Sequence, residues 1–298
     1  MSEVTLLDGG MGQELIARSG DAPTPLWATQ VMIDHPGLVR AVHADYFKAG
    51  ATVATTNTYA IHHDRLVKFG LDGRFADLHA QALAEAAEAR AAHGSGRIAG
   101  SLGPLVASYR PDAHPPHDEA VAKYAEIARL NAPGVDFFVA ETVASLAHAR
   151  AVLEGAKAGG KPVWLSVTVD DEDGTRLRSG ETVADLGPIV RAGGAAAVLA
   201  NCSAPEAMAA AINVFSTFGV PYGAYANGFQ SITKEFLKEN PTVDVLSARP
   251  EMTPALYADF ALLWVAMGAT IIGGCCETTP AHIAEIARRL KAEGHRVV

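Results

Sequence analysis

The chain has 298 residues, 49% of them hydrophobic and 19% charged, a composition that can bury a sizeable core and excludes a disordered chain. Lys and Arg total 24 against 33 Asp and Glu, and the formal charge of −9 leaves no electrostatic footprint for nucleic acid or an anionic membrane surface. Met1-Ser2-Glu3-Val4 has neither a basic nor an apolar targeting stretch, and the uncharged run 260–276 is interrupted by Gly268, Gly273 and Gly274, so a cytoplasmic protein without a membrane span is expected.

Short β-branched apolar runs alternate with stretches of helical period, and the alternation occurs eight times. It predicts strands at 4–7, 52–56, 97–101, 136–140, 163–169, 196–200, 221–226 and 270–272. Between them, 75–92 is almost entirely strong helix formers and stops at Gly94. Ala204-Pro205, Thr253-Pro254 and Thr279-Pro280 each place proline in a first helical turn, where its missing N–H costs nothing. Glycine turns at Gly50, Gly193-Gly194, Gly219 and Gly268 end helices and feed strands. Eight βα units in this length predict an α/β fold closed as a (β/α)8 TIM barrel, a single domain over 1–298. An open doubly wound sheet is the alternative, but Gly9-Gly10-Met11-Gly12 lacks the spacing of a dinucleotide fingerprint. Segments 109–117 and 227–252 are too long for tight βα turns and are expected as binding loops or lids on the C-terminal face.

The chain has three cysteines, an odd number that argues against a disulfide framework in a reducing compartment. Cys202 follows the sixth predicted strand, while Cys275 and Cys276 follow the eighth, 73 residues further on from Cys202. In a barrel all three converge on one mouth. Three thiolates with a fourth position open suit a catalytic zinc, and Gly273-Gly274 would let two adjacent cysteines turn to one ion. Cys202 alone also reads as a small buried hydrophobe, and a vicinal Cys275–Cys276 disulfide in a redox protein is a competing reading. His62-His63 and His114-Pro115-Pro116-His117 lack helical metal-ligand spacing and are expected on solvent-exposed loops.

These stretches resemble the homocysteine S-methyltransferases. Asn201-Cys202-Ser203 and Gly273-Gly274-Cys275-Cys276, followed by Thr278-Thr279-Pro280, match the family's cysteine motifs. Supporting matches run in order: Leu7-Asp8-Gly9-Gly10-Met11-Gly12-Gln13-Glu14-Leu15, Tyr46-Phe47-Lys48-Ala49-Gly50-Ala51, Thr55-Thr56-Asn57-Thr58-Tyr59, Ser101-Leu102-Gly103-Pro104 and Glu141-Thr142. The resemblance implies methylation of L-homocysteine to methionine by a barrel whose zinc is held by Cys202, Cys275 and Cys276. It implies Asp8 and Glu141 as partners of the substrate ammonium, although Asp8 also reads as a turn residue before Gly9-Gly10. Trp27 and Tyr59 would wall an onium donor through their ring faces, ordinary packing being the alternative, and Asn57 and Asn201 would sit behind substrate or zinc. The donors implied are S-methylmethionine, S-adenosylmethionine and betaine, in that order. The partners implied are these small molecules, with no nucleic acid or membrane and a homo-oligomer left open. A homocysteine-binding module serving a separate cobalamin protein, or a zinc-binding barrel without catalysis, are the other readings. Two departures stand out: many relatives have glycine where this chain has Glu277 and Leu199.

Overall fold

The computed structural model describes residues 2–233, 236–238, 242 and 245–298. Its strands are β1 (Glu3–Leu6), β2 (Val53–Thr55), β3 (Arg97–Leu102), β4 (Phe137–Val143), β5 (Val163–Val167), β6 (Ala197–Asn201), β7 (Tyr222–Tyr225), β8 (Ile271–Ile272) and β9 (Arg296–Val297). The helices are α1 (Met11–Ser19), α2 (Ala28–Asp34), α3 (Leu38–Ala49), α4 (His63–Leu66), α5 (Phe75–His93), α6 (His117–Asn131), α7 (Leu146–Ala156), α8 (Leu186–Gly193), α9 (Pro205–Phe215), α10 (Pro254–Ala266) and α11 (Pro280–Ala292). Every strand pairing is parallel, and the spatial order β2-β3-β4-β5-β6-β7-β8-β1-β9 follows the chain, with β8 returning to the side of β1. The fold is therefore the expected (β/α)8 barrel, and the doubly wound alternative is excluded, because an open sheet would not place β8 beside β1.

The ninth strand carried no periodic signal and was not anticipated. It pairs with the start of β1, Glu3 with Arg296 and Val4 with Val297. The ladder does not run from β1 to β2, and this seam is closed by single contacts instead. At its lower end Thr52 N–H donates to the Leu6 carbonyl (2.7 Å) and Thr52 Oγ1 donates to the Val298 carbonyl (2.6 Å). At its upper end the Asp8 carboxylate accepts from Thr55 N–H and Thr55 Oγ1.

Strand alternation separates two apolar layers. Phe138, Ala140, Leu165, Val167, Val198, Ala200 and Ile272 face the helices. Leu7, Val53, Ala99, Phe137, Val139, Trp164, Ala197, Leu199, Tyr225 and Ile271 fill the barrel interior. Leu199, one of the two departures, belongs to this interior layer. Arg97 caps its lower end over the Phe137 and Trp164 rings, at 5.4 and 5.6 Å. Continuing the inward period one step past the apolar layer lands on Thr55, Ser101, Glu141, Ser166 and Asn201, so the same alternation that fills the core sets a polar ring above it.

The helix signals hold. Proline opens α9, α10 and α11, and Thr279 forms a capping box with His282. Among the described residues no helix is long and apolar enough to cross a membrane.

Candidate active site

A cavity of about 110 Å³ opens at the C-terminal mouth of the barrel. It is lined by all nine residues singled out from the sequence: Asp8, Trp27, Asn57, Tyr59, Glu141, Asn201, Cys202, Cys275 and Cys276. Local backbone explains how the cysteines arrive. β8 ends at Ile272, and the chain turns through Gly273-Gly274 with Gly274 N–H donating to the Asp8 carbonyl and Cys275 N–H to the Ala226 carbonyl. Thr278 Oγ1 donates to the Cys275 carbonyl at 2.6 Å and pins the turn from below. Cys202 leaves β6 with a left-handed backbone, φ 49°, which swings it off the strand direction toward Cys275.

The three sulfurs lie within 4.8 Å of one another and are the one group of metal-ligating side chains found among the described residues. Cys202 and Cys275 are joined as a disulfide, with Cα atoms 5.8 Å apart, and Cys276 is a free thiol. The vicinal pairing is thus not the one formed, and Cys202 is not incidental. Consecutive Cα atoms sit about 3.8 Å apart, short of the separation a disulfide prefers, whereas the barrel brings residues 202 and 275 to the right span. Burial pushes the Cys276 thiol up to about 12, with the Glu277 charge adding to the effect. A thiol so placed is protonated near neutral pH unless a cation offsets the penalty. The chemistry of the reduced donor set, three clustered soft sulfurs at an accessible mouth, fits a thiophilic metal with an open position. The disulfide must be reduced before all three can ligate.

Two carboxylates that line the cavity are close enough to feel each other's charge. Glu141 extends the Phe137, Val139 inward period, just before a register shift in β4 at which Thr142 turns left-handed, φ 55°. Ser101 Oγ donates to Glu141 Oε2 at 2.6 Å and Tyr225 Oη to Glu141 Oε1 at 3.0 Å. Desolvation raises the Glu141 pKa against these hydrogen bonds. Asp8 is buried, and desolvation lifts it to about 7, opposed by its Thr55 hydrogen bonds and reinforced by Glu141. The turn reading of Asp8 is incomplete, since its side chain spans the barrel seam. His43 Nδ1 lies 4.0 Å from Asp8 Oδ2, but burial lowers His43 to about 4, so it is neutral and does not compensate the carboxylate.

Trp27 and Tyr59 line the cavity together, ring centroids 6.5 Å apart, with Phe236 a further 6.2 Å from Trp27. Tyr109, from the predicted 109–117 loop, joins this wall, 6.0 Å from Phe236. The two asparagines border the cavity but spend their polar groups on the scaffold. Asn201 Oδ1 accepts from Thr142 N–H and Ser166 Oγ while its Nδ2 donates to Thr142 Oγ1. Asn57 Nδ2 donates to the Ala28 carbonyl at 3.2 Å.

The histidine expectation is corrected in part. His62 is buried, and neither ring nitrogen has a hydrogen-bond partner. His63 is partly exposed, paired with Asp72 at 2.6 Å and stacked on Phe75. His114 packs against His148 and His117 bonds Glu154. His62 follows the apolar Ala60-Ile61 as α4 begins, so the local hydrophobic pattern outweighs the polarity of the ring. Sequence reading missed Thr55, Ser101, Ser166 and Tyr225; the signal available was their position on the inward period at strand C-terminal ends.

Comparison with known proteins gives one consistent result. The family model described as homocysteine S-methyltransferase matches residues 5–290. The chain is 31% identical over 311 aligned positions to the homocysteine S-methyltransferase of Escherichia coli strain K12, covering 96% of this chain and 95% of that protein. It is 27% identical to the homocysteine S-methyltransferase YbgG of Bacillus subtilis, covering 95% and 93%. Among solved structures, it superposes on the metallated form of the E. coli homocysteine methyltransferase MmuM with a TM-score of 0.80, and on the oxidized form with 0.81. Each pair is 28% identical and covers 96% of both chains.

Proposed function

Since the chain belongs to the homocysteine S-methyltransferase family and is on that ground a methyltransferase, we propose that it transfers a methyl group from an onium donor to the thiolate of L-homocysteine, giving methionine, with zinc and without cobalamin. The observation that carries this reading is the meeting of three cysteine sulfurs, from strands distant in sequence, with two buried carboxylates in one barrel-mouth cavity. Cys202, Cys275 and Cys276 in reduced form would hold the zinc, which when bound supplies the positive charge that keeps a thiol ionised near neutral pH.

The residues of the chain do the rest. Glu141 and Asp8 receive the homocysteine ammonium, and the desolvation that strains both carboxylates when empty is relieved by an opposite charge. Ser101 and Tyr225 hold Glu141 in one rotamer, so the ammonium fixes where the substrate sulfur points. Trp27 and Tyr59 present ring faces to the onium cation, whose methyl groups cannot be recognised by hydrogen bonds. Asn57 and Asn201 brace the α2 and β4 sides of the cavity. In the displacement a carbon–sulfur bond forms to the substrate thiolate as the donor's bond to the same methyl breaks. The donor leaves as a neutral sulfide or amine, and the thiol proton goes to solvent on ionisation.

The donor reading keeps S-methylmethionine, S-adenosylmethionine and betaine in that order, and 1–298 acts as one cytoplasmic barrel domain on small-molecule substrates. The test is metal content of the reduced protein together with methionine formation from homocysteine and each donor. About one zinc per chain and turnover with one of the three is expected. Metal-free reduced protein that still made methionine would exclude the zinc assignment.

A further inference from the structure

Behind Trp27 lies a second cavity of about 130 Å³, bordered by Trp27, Arg65, Lys68, Ser108, Arg110 and Lys238 among others, with no carboxylate among its described lining residues. In a chain of formal charge −9, four cationic side chains around one hollow run against the general trend. Arg110 is itself held by Asp112 and by the Leu237 carbonyl. Arg65 is different. Its Nη2 donates only to the Pro104 carbonyl (3.2 Å) and, at the limit of a hydrogen bond, to Ser108 Oγ (3.5 Å). Its Nε is buried without a partner, and among the described residues no carboxylate forms an ion pair with it: the neighbouring Asp64 acts on it only at a distance, its own ion pair being with Lys123. A half-buried guanidinium with no carboxylate in direct contact gains from an anion that reaches it.

The place of this cation relative to the first cavity gives it a meaning. Arg65 Cζ sits 5.9 Å from the centroid of the Tyr59 ring, whose hydroxyl bonds Ser108 at 2.8 Å. Trp27 lines both cavities, and its indole N–H is likewise buried without a partner. The aromatic wall is thus shared: one side faces the cysteines and carboxylates, the other a cationic recess with two unused N–H donors on its border.

We propose that this recess is the subsite for the carboxylate of a zwitterionic methyl donor, with Arg65 as its counter-ion, so that the donor straddles the Trp27–Tyr59 wall with its onium end toward the cysteines. The inference rests on the methyl-transfer reading and adds to it that the donor is recognised through its anionic end as well as its cationic one. A planar, fork-shaped guanidinium matches a carboxylate in a way that a lysine does not.

The test measures binding of S-methylmethionine and of betaine, each against its own methyl ester, to reduced, zinc-loaded protein containing homocysteine, by calorimetry, alongside methyl-transfer kinetics. It is run on the wild type, Arg65→Gln and Arg65→Lys. Zinc content and the KM for homocysteine report whether each variant is folded and its first cavity intact. For whichever donor binds, the wild type should prefer the acid over the ester by roughly 10- to 100-fold, the range expected for losing a charge-assisted hydrogen bond. Arg65→Gln should bind the acid more weakly by a similar factor and no longer discriminate against the ester, while Arg65→Lys keeps part of the preference. Equal binding of acid and ester by the wild type, an ester penalty that survives Arg65→Gln, or no binding of either acid would overturn the proposal. Arg65-dependent binding without methyl transfer would uphold the subsite and count against the catalytic reading instead.

Discussion

The two ends of the barrel differ in which residues carry left-handed backbone. At the end where helices hand over to strands, the positive-φ positions are glycines, among them Gly50, Gly194 and Gly268. At the other end glycines such as Gly70 and Gly180 are joined by Trp27, Val106, Tyr109, Thr142, Cys202 and Glu277, which are all of the non-glycine residues with positive φ among those described. Four of them line the candidate active site, Val106 lines the cationic recess, and Glu277 follows Cys276. A bulky residue in this conformation costs on the order of 1–3 kcal/mol and persists only where its surroundings over-determine it. The lower end is therefore built for unstrained closure, sealed by β9 and the Val298 carbonyl, while strain is concentrated where side chains must be aimed.

The largest effect that would test this division is Cys275→Ala. If the upper end serves chemistry and the lower end holds the fold, the variant loses its zinc and more than about 100-fold in methionine formation, yet keeps its circular dichroism spectrum. Activity at the wild-type level would remove Cys275 from the metal site. A spectrum of unfolded chain would show that the two ends are not separable.

Next in size is the carboxylate pair. Glu141→Gln leaves the Ser101 and Tyr225 contacts room to re-form but removes the charge, and kcat/KM for homocysteine is expected to fall by roughly 100-fold. Asp8 adds a pH signature. Because its folded pKa is raised to about 7 from 3.8, the native state holds a proton that the unfolded chain has lost between those values. Stability therefore declines as pH rises through that window, the reverse of a salt-bridged carboxylate. Affinity for an ammonium moves the other way, rising as Asp8 ionises toward and above pH 7. Asp8→Asn should flatten both profiles, measured by denaturant midpoints and by kcat/KM against pH; an unaltered profile in the variant would assign the titration to another group.

A smaller effect probes the lower end. Gly50 has φ 111°, and an added Cβ would come within 2.8 Å of the Ala287 methyl. Gly50→Ala is expected to destabilise by about 1–3 kcal/mol with kinetic constants unchanged. A KM shift there would mean that the ends communicate.

Much of this was legible in the residues because each signal was local and repeated. Eight apolar runs bounded by glycine and helix signals give a barrel, and strand ends then bring Cys202 to Cys275 and Cys276 without any distance being known. The ninth strand was not legible, since two residues held by a neighbouring edge have no period of their own. Thr55, Ser101, Ser166 and Tyr225 were passed over because a single hydroxyl has no pattern, although each lies on its strand's inward period. His62 was misplaced because polarity was weighed above the Ala60-Ile61 run beside it. The cationic recess could not have been read at all: Arg65 on α4 meets Arg110 and Lys238 only when segments distant in sequence fold together.

Glu277 offers the finest test of the contrast between the ends. Glu277, where the family resemblance leads one to expect glycine, has φ 64°, the left-handed region that glycine adopts most easily. Burial raises the Glu277 pKa, which makes its removal an electrostatic as well as a backbone change. Two substitutions separate these contributions. Glu277→Ala and Glu277→Gly both delete the carboxylate, but only glycine adopts the left-handed region without a Cβ penalty. Against this, glycine gains freedom in the unfolded chain, worth about 0.4–1 kcal/mol, so the glycine variant should remain the more stable of the two by a net of about 1 kcal/mol. Denaturant unfolding of the reduced, metal-free proteins measures that difference directly. An alanine variant as stable as the glycine one would mean that the turn after Cys276 relaxes once the carboxylate is gone, and that the strain at this position belongs to the side chain and not to the backbone.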